Sequence, residues 1–182
     1  MFNVDEMMEF NRKFVANESY KQFPNSKSPQ KKIAILSCMD TRLVELLPAA
    51  LNIRNSDVKI IKNAGAIVTH PFGSVMRSLL IAIYALGVED ILVISHYGCG
   101  VQGMESSKLL PKMFEKGITQ EKIDFIKSCG VNVDKWFKGF DCVEASVSET
   151  VNTIKTHPLL PASVGVYGFI IDPDTGRLDK VE

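Results

Sequence analysis

Three short apolar runs, Ile33-Ala34-Ile35-Leu36, Val58-Lys59-Ile60-Ile61 and Ile91-Leu92-Val93-Ile94, are separated by stretches of helical character over 43–51 and 73–86. Alternation of strand and helix admits few folds. Each helical crossover brings the chain back to start the next strand in the same direction, which builds a parallel sheet covered by helices. Helical segments over 102–114, 120–128 and 142–155 lead to a fourth apolar run at 163–171. There Asp172-Pro173-Asp174-Thr175-Gly176 turns the chain into a short terminal hairpin, since Pro presets the turn and Gly admits its left-handed residue. The expected architecture is α/β: a three-layer fold whose central, mostly parallel sheet has about four parallel strands plus a short terminal hairpin strand, flanked by helices. The 182 residues are expected to form a single domain, 1–182, which buries roughly 70% of its unfolded surface.

Residues 4–14 read as an amphipathic helix, and the loop over 23–29 is rich in Pro and Ser. Together they make an N-terminal helical arm, 1–30, distinct in character from the rest of the chain and suited to packing on a partner subunit. The helix at 73–86 is apolar almost all round, so one sheet face cannot cover Val75, Leu79, Leu80, Ala82, Ile83 and Leu86. A deeply buried core helix and a subunit interface both account for it. Lys plus Arg and Asp plus Glu each number 21, so no basic surplus speaks for nucleic acid. The longest apolar run, 79–86, is too short to span a bilayer. Residues 1–10 carry acidic side chains and no apolar centre, unlike a secretory signal. A cytoplasmic location with reduced cysteines is the resulting expectation.

The chemistry concentrates in Ser37-Cys38-Met39-Asp40-Thr41-Arg42 and His96-Tyr97-Gly98-Cys99-Gly100. Each comes directly after an expected strand, so Cys38, His96 and Cys99 come to strand carboxyl ends, where open α/β sheets bind their ligands. Two thiolates and an imidazole suit zinc, and three protein ligands leave a fourth position for water or a carboxylate. Closed structural sites use four Cys or His ligands, often in Cys-x-x-Cys pairs, which this chain lacks; a reactive ion is therefore expected. Asp40 is placed to fill the fourth position as a possible ligand, or to accept a hydrogen bond from the group that fills it. Arg42 can hold Asp40 through a two-pronged ion pair.

The remaining Cys and His residues read as structural. Cys129 and Cys142 have no ligand-type neighbours and are expected to be small buried hydrophobes. His70 and His157 each precede a proline and are expected to satisfy local hydrogen bonds, the alternative for His70 being a place near the site as a proton carrier. Two other patterns are set aside. Gly98-Cys99-Gly100-Val101-Gln102-Gly103 matches the dinucleotide fingerprint, yet it is not in the first βαβ unit. The acidic residues downstream of it, Glu121 and Asp124, fall in a helical stretch rather than at the next strand end. Cys38 and Arg42 also stand too close in sequence for the phosphate-cradling loop of a cysteine phosphatase.

Cys38-Met39-Asp40-Thr41-Arg42, Asn63-Ala64-Gly65 and His96-Tyr97-Gly98-Cys99-Gly100 together resemble the β-class carbonic anhydrases in order and spacing. The resemblance covers about 33–103, and the strand–helix layout agrees to the end. It departs at Ala66, where many members have Asn, and at Ser95, where many have Gly. It implies one zinc ion (Zn2+) per chain held by Cys38, His96 and Cys99, with Asp40 and Arg42 as the catalytic dyad beside it. It also implies a homodimer, with tetramers as a further step, whose N-terminal helices reach across the partner. The implied activity is that of a carbonate dehydratase, a zinc lyase: reversible hydration of carbon dioxide to bicarbonate and a proton by zinc-bound hydroxide. Two alternatives stand beside it. One is hydrolysis of carbonyl sulfide or carbon disulfide; the other is a zinc-binding relative of low activity in which Asp40 stays on the metal.

Overall fold

The computed structural model describes residues 3–181. Its sheet has five strands, β1 (Ile33–Cys38), β2 (Val58–Asn63), β3 (Asp90–His96), β4 (Gly165–Ile171) and β5 (Leu178–Lys180), in the order β2-β1-β3-β4-β5. β1 pairs in parallel with β2 and β3, β3 pairs in parallel with β4, and only β5 runs antiparallel, against β4. The fold is therefore the expected α/β sheet with a terminal hairpin strand. The chain steps from β1 to β2 on one side and then returns past β1 to β3 on the other. Loops leaving the carboxyl ends of β1 and β3 diverge there, which opens a crevice suited to a ligand. Cys38 ends β1 and His96 ends β3.

Helices cover the sheet because each offers it one apolar stripe. Helix α3 (Ser74–Leu86) buries Met76, Leu79, Ala82 and Ile83. Helix α7 (Val143–Lys155) buries Val143, Val147, Val151 and Ile154 at helical spacing. With Ala34, Ile91, Val93, Val166 and Ile170 of the sheet they form one core. Such burial contributes about 1.5–3 kcal/mol per large side chain. A second core, Ile35, Leu36, Leu43, Leu47, Ala66, Ile94 and Ile171, includes Cys38 and Cys99, so the sulfur atoms sit at the edge of a packed region. The all-round apolar character of α3 is only partly used within the chain: Ile81 and Tyr84 are exposed.

Several expected boundaries move, each for a local reason. The helix expected over 43–51 is instead a 3-10 turn at Thr41–Leu43 leading into α2 (Leu46–Ala50). The Asp40 side chain accepts the Arg42 N–H and tightens the first turn. Pro48, which has no N–H to give the Val44 carbonyl, keeps α2 from continuing back into that turn. The helix expected from 102 starts only at α4 (Ser106–Glu115). Before it the backbone turns tightly, with Gln102 N–H on Cys99 O and Met104 N–H on Val101 O, and Gly103 takes φ +64°. This loop is clasped to residues 139–140 by Gly139 N–H on Met104 O and Gly103 N–H on Phe140 O. Residue 139 must be Gly, because a Cβ there would collide with the Val101 carbonyl. Helix α5 (Gln120–Ser128) lies where expected, a short α6 (Val133–Phe137) has no counterpart among the expected elements, and β4 begins at Gly165 rather than at 163.

The arm forms a helix, α1 (Val4–Ala16), capped by reciprocal hydrogen bonds between Asn3 and Glu6, and none of its residues is buried. Val4, Met7, Met8 and Phe10 are exposed on it. Among the described residues, no helix is long and apolar enough to cross a membrane.

Candidate metal centre

Cys38, His96 and Cys99 converge at the carboxyl edge of the sheet, with one donor atom from each within 4.8 Å of the others. All three residues are buried, His96 completely. The two sulfur atoms are 3.8 Å apart. That is far too long for a disulfide. It matches the separation of about 3.8 Å that two thiolates adopt when each is about 2.3 Å from one tetrahedral zinc ion.

The surroundings prepare each donor. The Nδ1 of His96 lies 2.9 Å from the Tyr97 carbonyl. A carbonyl only accepts, so the ring proton sits on Nδ1 and the Nε2 lone pair faces the sulfurs, the tautomer a metal requires. Nε2 itself is buried and meets no hydrogen-bond partner in the protein, a situation rare for a buried polar atom without a further ligand. Burial raises the Cys38 thiol, but the adjacent imidazole and the N–H groups of Gly65 and Asp40 outweigh it and lower it to about 7. Burial and the neighbouring Cys38 push Cys99 up to about 11, against the pull of the Val101 N–H. The Cys38 sulfur is thus about half ionised near neutral pH, and the second must lose its proton when a cation arrives, as thiolate ligands do. The donor set and its spacing fit zinc.

The Gly65 N–H that points at Cys38 Sγ, at 3.4 Å, depends on an unusual backbone. Gly65 has φ +85° and a Cβ there would press on Phe140 and Val101, both 3.3 Å away. Of the Asn63-Ala64-Gly65 segment singled out in the sequence, this N–H is the group that reaches the cluster.

Asp40 and Arg42 meet beside the cluster. Arg42 Nε donates to Asp40 Oδ1 at 3.0 Å and Arg42 Nη2 to Oδ2 at 2.9 Å. These bonds hold the Asp40 carboxyl well below the usual carboxylate range, so it is ionised at every relevant pH. Arg42 Nη2 also reaches Gly98 O at 3.2 Å, which ties the dyad to the loop that carries Cys99. Asp40 Oδ2 is 3.6 Å from His96 Nε2, yet the cluster of mutually close donors does not include Asp40.

The other sequence candidates lie in local structure. His70 Nδ1 accepts the Phe72 N–H at 3.0 Å, and buried His157 accepts the Leu159 N–H at 3.2 Å. Cys129 and Cys142 are free thiols, but both are exposed rather than buried. Each ends up flanking a helix: Cys129 closes α5, and Cys142 opens α7 with its thiol donating to Glu144 at 3.1 Å. Missed from the sequence were the Tyr97 carbonyl under His96 and the Lys62 ammonium, which donates to Leu43 O at 3.1 Å behind the dyad turn. Neither carries a sequence pattern of its own.

Residues 33–178 match the family model described as carbonic anhydrase. The chain is 54% identical over 178 residues to "Putative carbonic anhydrase YtiB" of Bacillus subtilis (strain 168), which covers 98% of this chain and 95% of that protein. It is 27% identical over 157 residues to a carbon disulfide hydrolase of Acidithiobacillus thiooxidans, across 81% of this chain and 76% of the relative. Among solved structures it is similar to β-carbonic anhydrase isoform I of Trichomonas vaginalis, with TM-score 0.89 and 30% identity over 100% of this chain and 98% of the other.

Proposed function

Because the chain belongs to the β-class carbonic anhydrase family, we propose that it catalyses reversible hydration of carbon dioxide to bicarbonate and a proton, using one zinc ion held by Cys38, His96 and Cys99. The observation that carries this reading is the 3.8 Å sulfur–sulfur separation beside a buried, unpartnered imidazole nitrogen. Zinc bound there supplies a water whose pKa falls from about 15.7 towards about 7. The protein's own residues do the rest. Cys38 and Cys99 would bind as thiolates, and His96 through Nε2, because the Tyr97 carbonyl holds its other nitrogen.

Asp40 stands beside the donors, Oδ2 3.6 Å from His96 Nε2, with its charge preserved by Arg42. With zinc bound, it would accept a hydrogen bond from the attacking oxygen and orient that oxygen towards the carbon of the substrate. Both carboxylate oxygens are engaged by Arg42. That favours a dyad standing beside the metal over an Asp40 that occupies its fourth position.

We also assign the chain to one domain acting as a cytoplasmic homodimer, with the arm 1–30 lying on the partner subunit. An α1 helix without buried residues, and exposed Ile81 and Tyr84 on α3, support such an interface. Sedimentation of the full chain and of a chain lacking the arm tests it: loss of the dimer on truncation is expected.

Stopped-flow hydration of carbon dioxide at about pH 8.5, with zinc measured on the same sample, tests the activity. A rate well above buffer at one zinc per chain is expected. Full zinc without that rate would mark a weak catalyst. The likeness to a carbon disulfide hydrolase favours a second reading, tested by release of hydrogen sulfide from carbon disulfide or carbonyl sulfide in parallel.

A further inference from the structure

Tyr97 bridges the loop of the metal centre and the last two strands. Its hydroxyl donates to Asp179 Oδ2 at 3.1 Å, an oxygen that also accepts from Arg177 Nη2 at 3.0 Å. Its backbone N–H donates to Ile171 O at 3.2 Å. Its carbonyl takes the Nδ1 proton of His96 at 2.9 Å. Residue 97 is therefore anchored twice on β4–β5, and its third polar group sets the tautomer and orientation of His96.

This anchoring fixes the Cα and the side chain of residue 97, and leaves the peptide between residues 97 and 98 to turn only through ψ of Tyr97 and φ of Gly98. Gly98 has φ +62°, and nothing lies within 4 Å of where its Cβ would be. A peptide next to a glycine in open space rotates with little steric hindrance. Rotation would turn the Tyr97 carbonyl away from His96 and free the imidazole to swing or to change tautomer. A tyrosine clamped at both its hydroxyl and its N–H holds in place the Cα from which that carbonyl projects, which keeps the carbonyl within reach of His96 Nδ1. The next carbonyl, Gly98 O, accepts from Arg42 Nη2. The same short segment thus aligns one donor of the cluster and the guanidinium that holds Asp40.

Asp179 is presented from an ordered strand, paired with Ile170 across the hairpin. Its exposed contact with Arg177, with side chains 38% and 66% accessible, is of the kind that contributes little to stability. The bond to Tyr97 is partly buried, and the Tyr97 ring packs against the core beneath the sheet.

The geometry points to Tyr97 and Asp179 as a positioning pair for the metal centre: β5 holds the His96 imidazole on its target although Asp179 touches no donor of the cluster. The inference rests on Cys38, His96 and Cys99 being the metal ligands. Removing outer partners of a ligating histidine weakens metal binding about 10- to 100-fold in comparable sites.

The test uses the full chain loaded with zinc, tracking transfer of zinc to a chromophoric chelator, and the visible spectrum of the cobalt-substituted protein. Tyr97→Phe deletes only the hydroxyl, Asp179→Ala removes the acceptor, and Asp179→Asn keeps an acceptor oxygen. Tyr97→Phe and Asp179→Ala are each expected to speed zinc loss about tenfold and to shift the cobalt bands. The double variant should lose zinc no faster than either single one, because both changes break one coupling. Asp179→Asn should stay near wild type. Zinc release at the wild-type rate in Tyr97→Phe and Asp179→Ala, whether or not the melting temperature falls, overturns the pair. A wild-type chain that binds no zinc overturns the ligand assignment as well, whereas one zinc per chain with unchanged variants overturns the positioning role alone.

Discussion

The carboxylate of Asp40 and the imidazole of His96 face one point from two strand ends, Oδ2 lying 3.6 Å from Nε2, while Arg42 occupies both carboxylate oxygens. The carboxylate is near enough to steer an oxygen held at that point and too well bound to Arg42 to leave for a metal without breaking a two-pronged ion pair. Charge-assisted pairs of this geometry are among the stronger hydrogen bonds in proteins.

Asp40→Asn is therefore expected to lower kcat for carbon dioxide hydration about 100-fold, the scale of a lost proton-accepting partner, and to leave zinc at one per chain. Stopped-flow kinetics with metal analysis checks both halves. Parallel loss of zinc would place Asp40 among the ligands.

Arg42→Lys keeps the charge but not the fork, and a lysine cannot engage both oxygens of Asp40 while reaching Gly98 O. A loss of about tenfold in kcat is expected. Arg42→Ala probes the same pair through stability. Arg42 lowers the folded-state pKa of Asp40, so the pair stabilises the fold above the carboxylate's unfolded pKa and that contribution fades as pH falls below it. The gap in melting temperature between wild type and Arg42→Ala should thus be constant above about pH 5 and shrink below about pH 4. A gap that widens on acidification would contradict the assignment.

Cys38→Ser and Cys99→Ser each exchange a soft thiolate for a hard hydroxyl that stays protonated. Each should retain less than about a tenth of the zinc of the wild type after dialysis, since zinc in this donor set relies on its sulfurs. Metal analysis per chain reads the outcome directly.

Gly65→Ala puts a Cβ at φ +85° and against Phe140 and Val101. The left-handed conformation alone costs about 1–2 kcal/mol for a residue with a side chain. A lower melting temperature is expected by circular dichroism, along with faster zinc loss as the Gly65 N–H moves off Cys38 Sγ.

Two thiolates already cancel the charge of a divalent ion, which makes it a weaker acid towards bound water than one held by neutral ligands alone. The hydration rate should therefore rise between about pH 6.5 and about pH 9. A flat profile over that range would exclude this donor set as the source of the activity.

Legibility in the sequence depends on distance along the chain. β1, β2, β3, α5 and α7 are legible because apolar periodicity is written within a few residues. The helix expected from 102 fails because Gly103 and the clasp to residues 139–140 involve a segment more than thirty residues away. The helix expected over 43–51 fails because a single side chain, Asp40, accepts the Arg42 N–H and redirects the first turn. Exposure of Cys129 and Cys142 cannot be judged from their neighbours, since helix ends place polar backbone near solvent whatever residue stands there.

The sequence by itself determined which atoms meet at the sheet's edge: soft donors directly after apolar strand runs have one side of a parallel sheet to occupy, so Cys38, His96 and Cys99 were legible as a set. Only the tertiary structure decided how they are held. The bond from Tyr97 to Asp179 spans 82 positions, and that from Arg42 to Gly98 spans 56. Strand register and loop packing, not residue type, bring such partners into hydrogen-bonding range, and a bond of about 3 Å is set by geometry that no local pattern encodes.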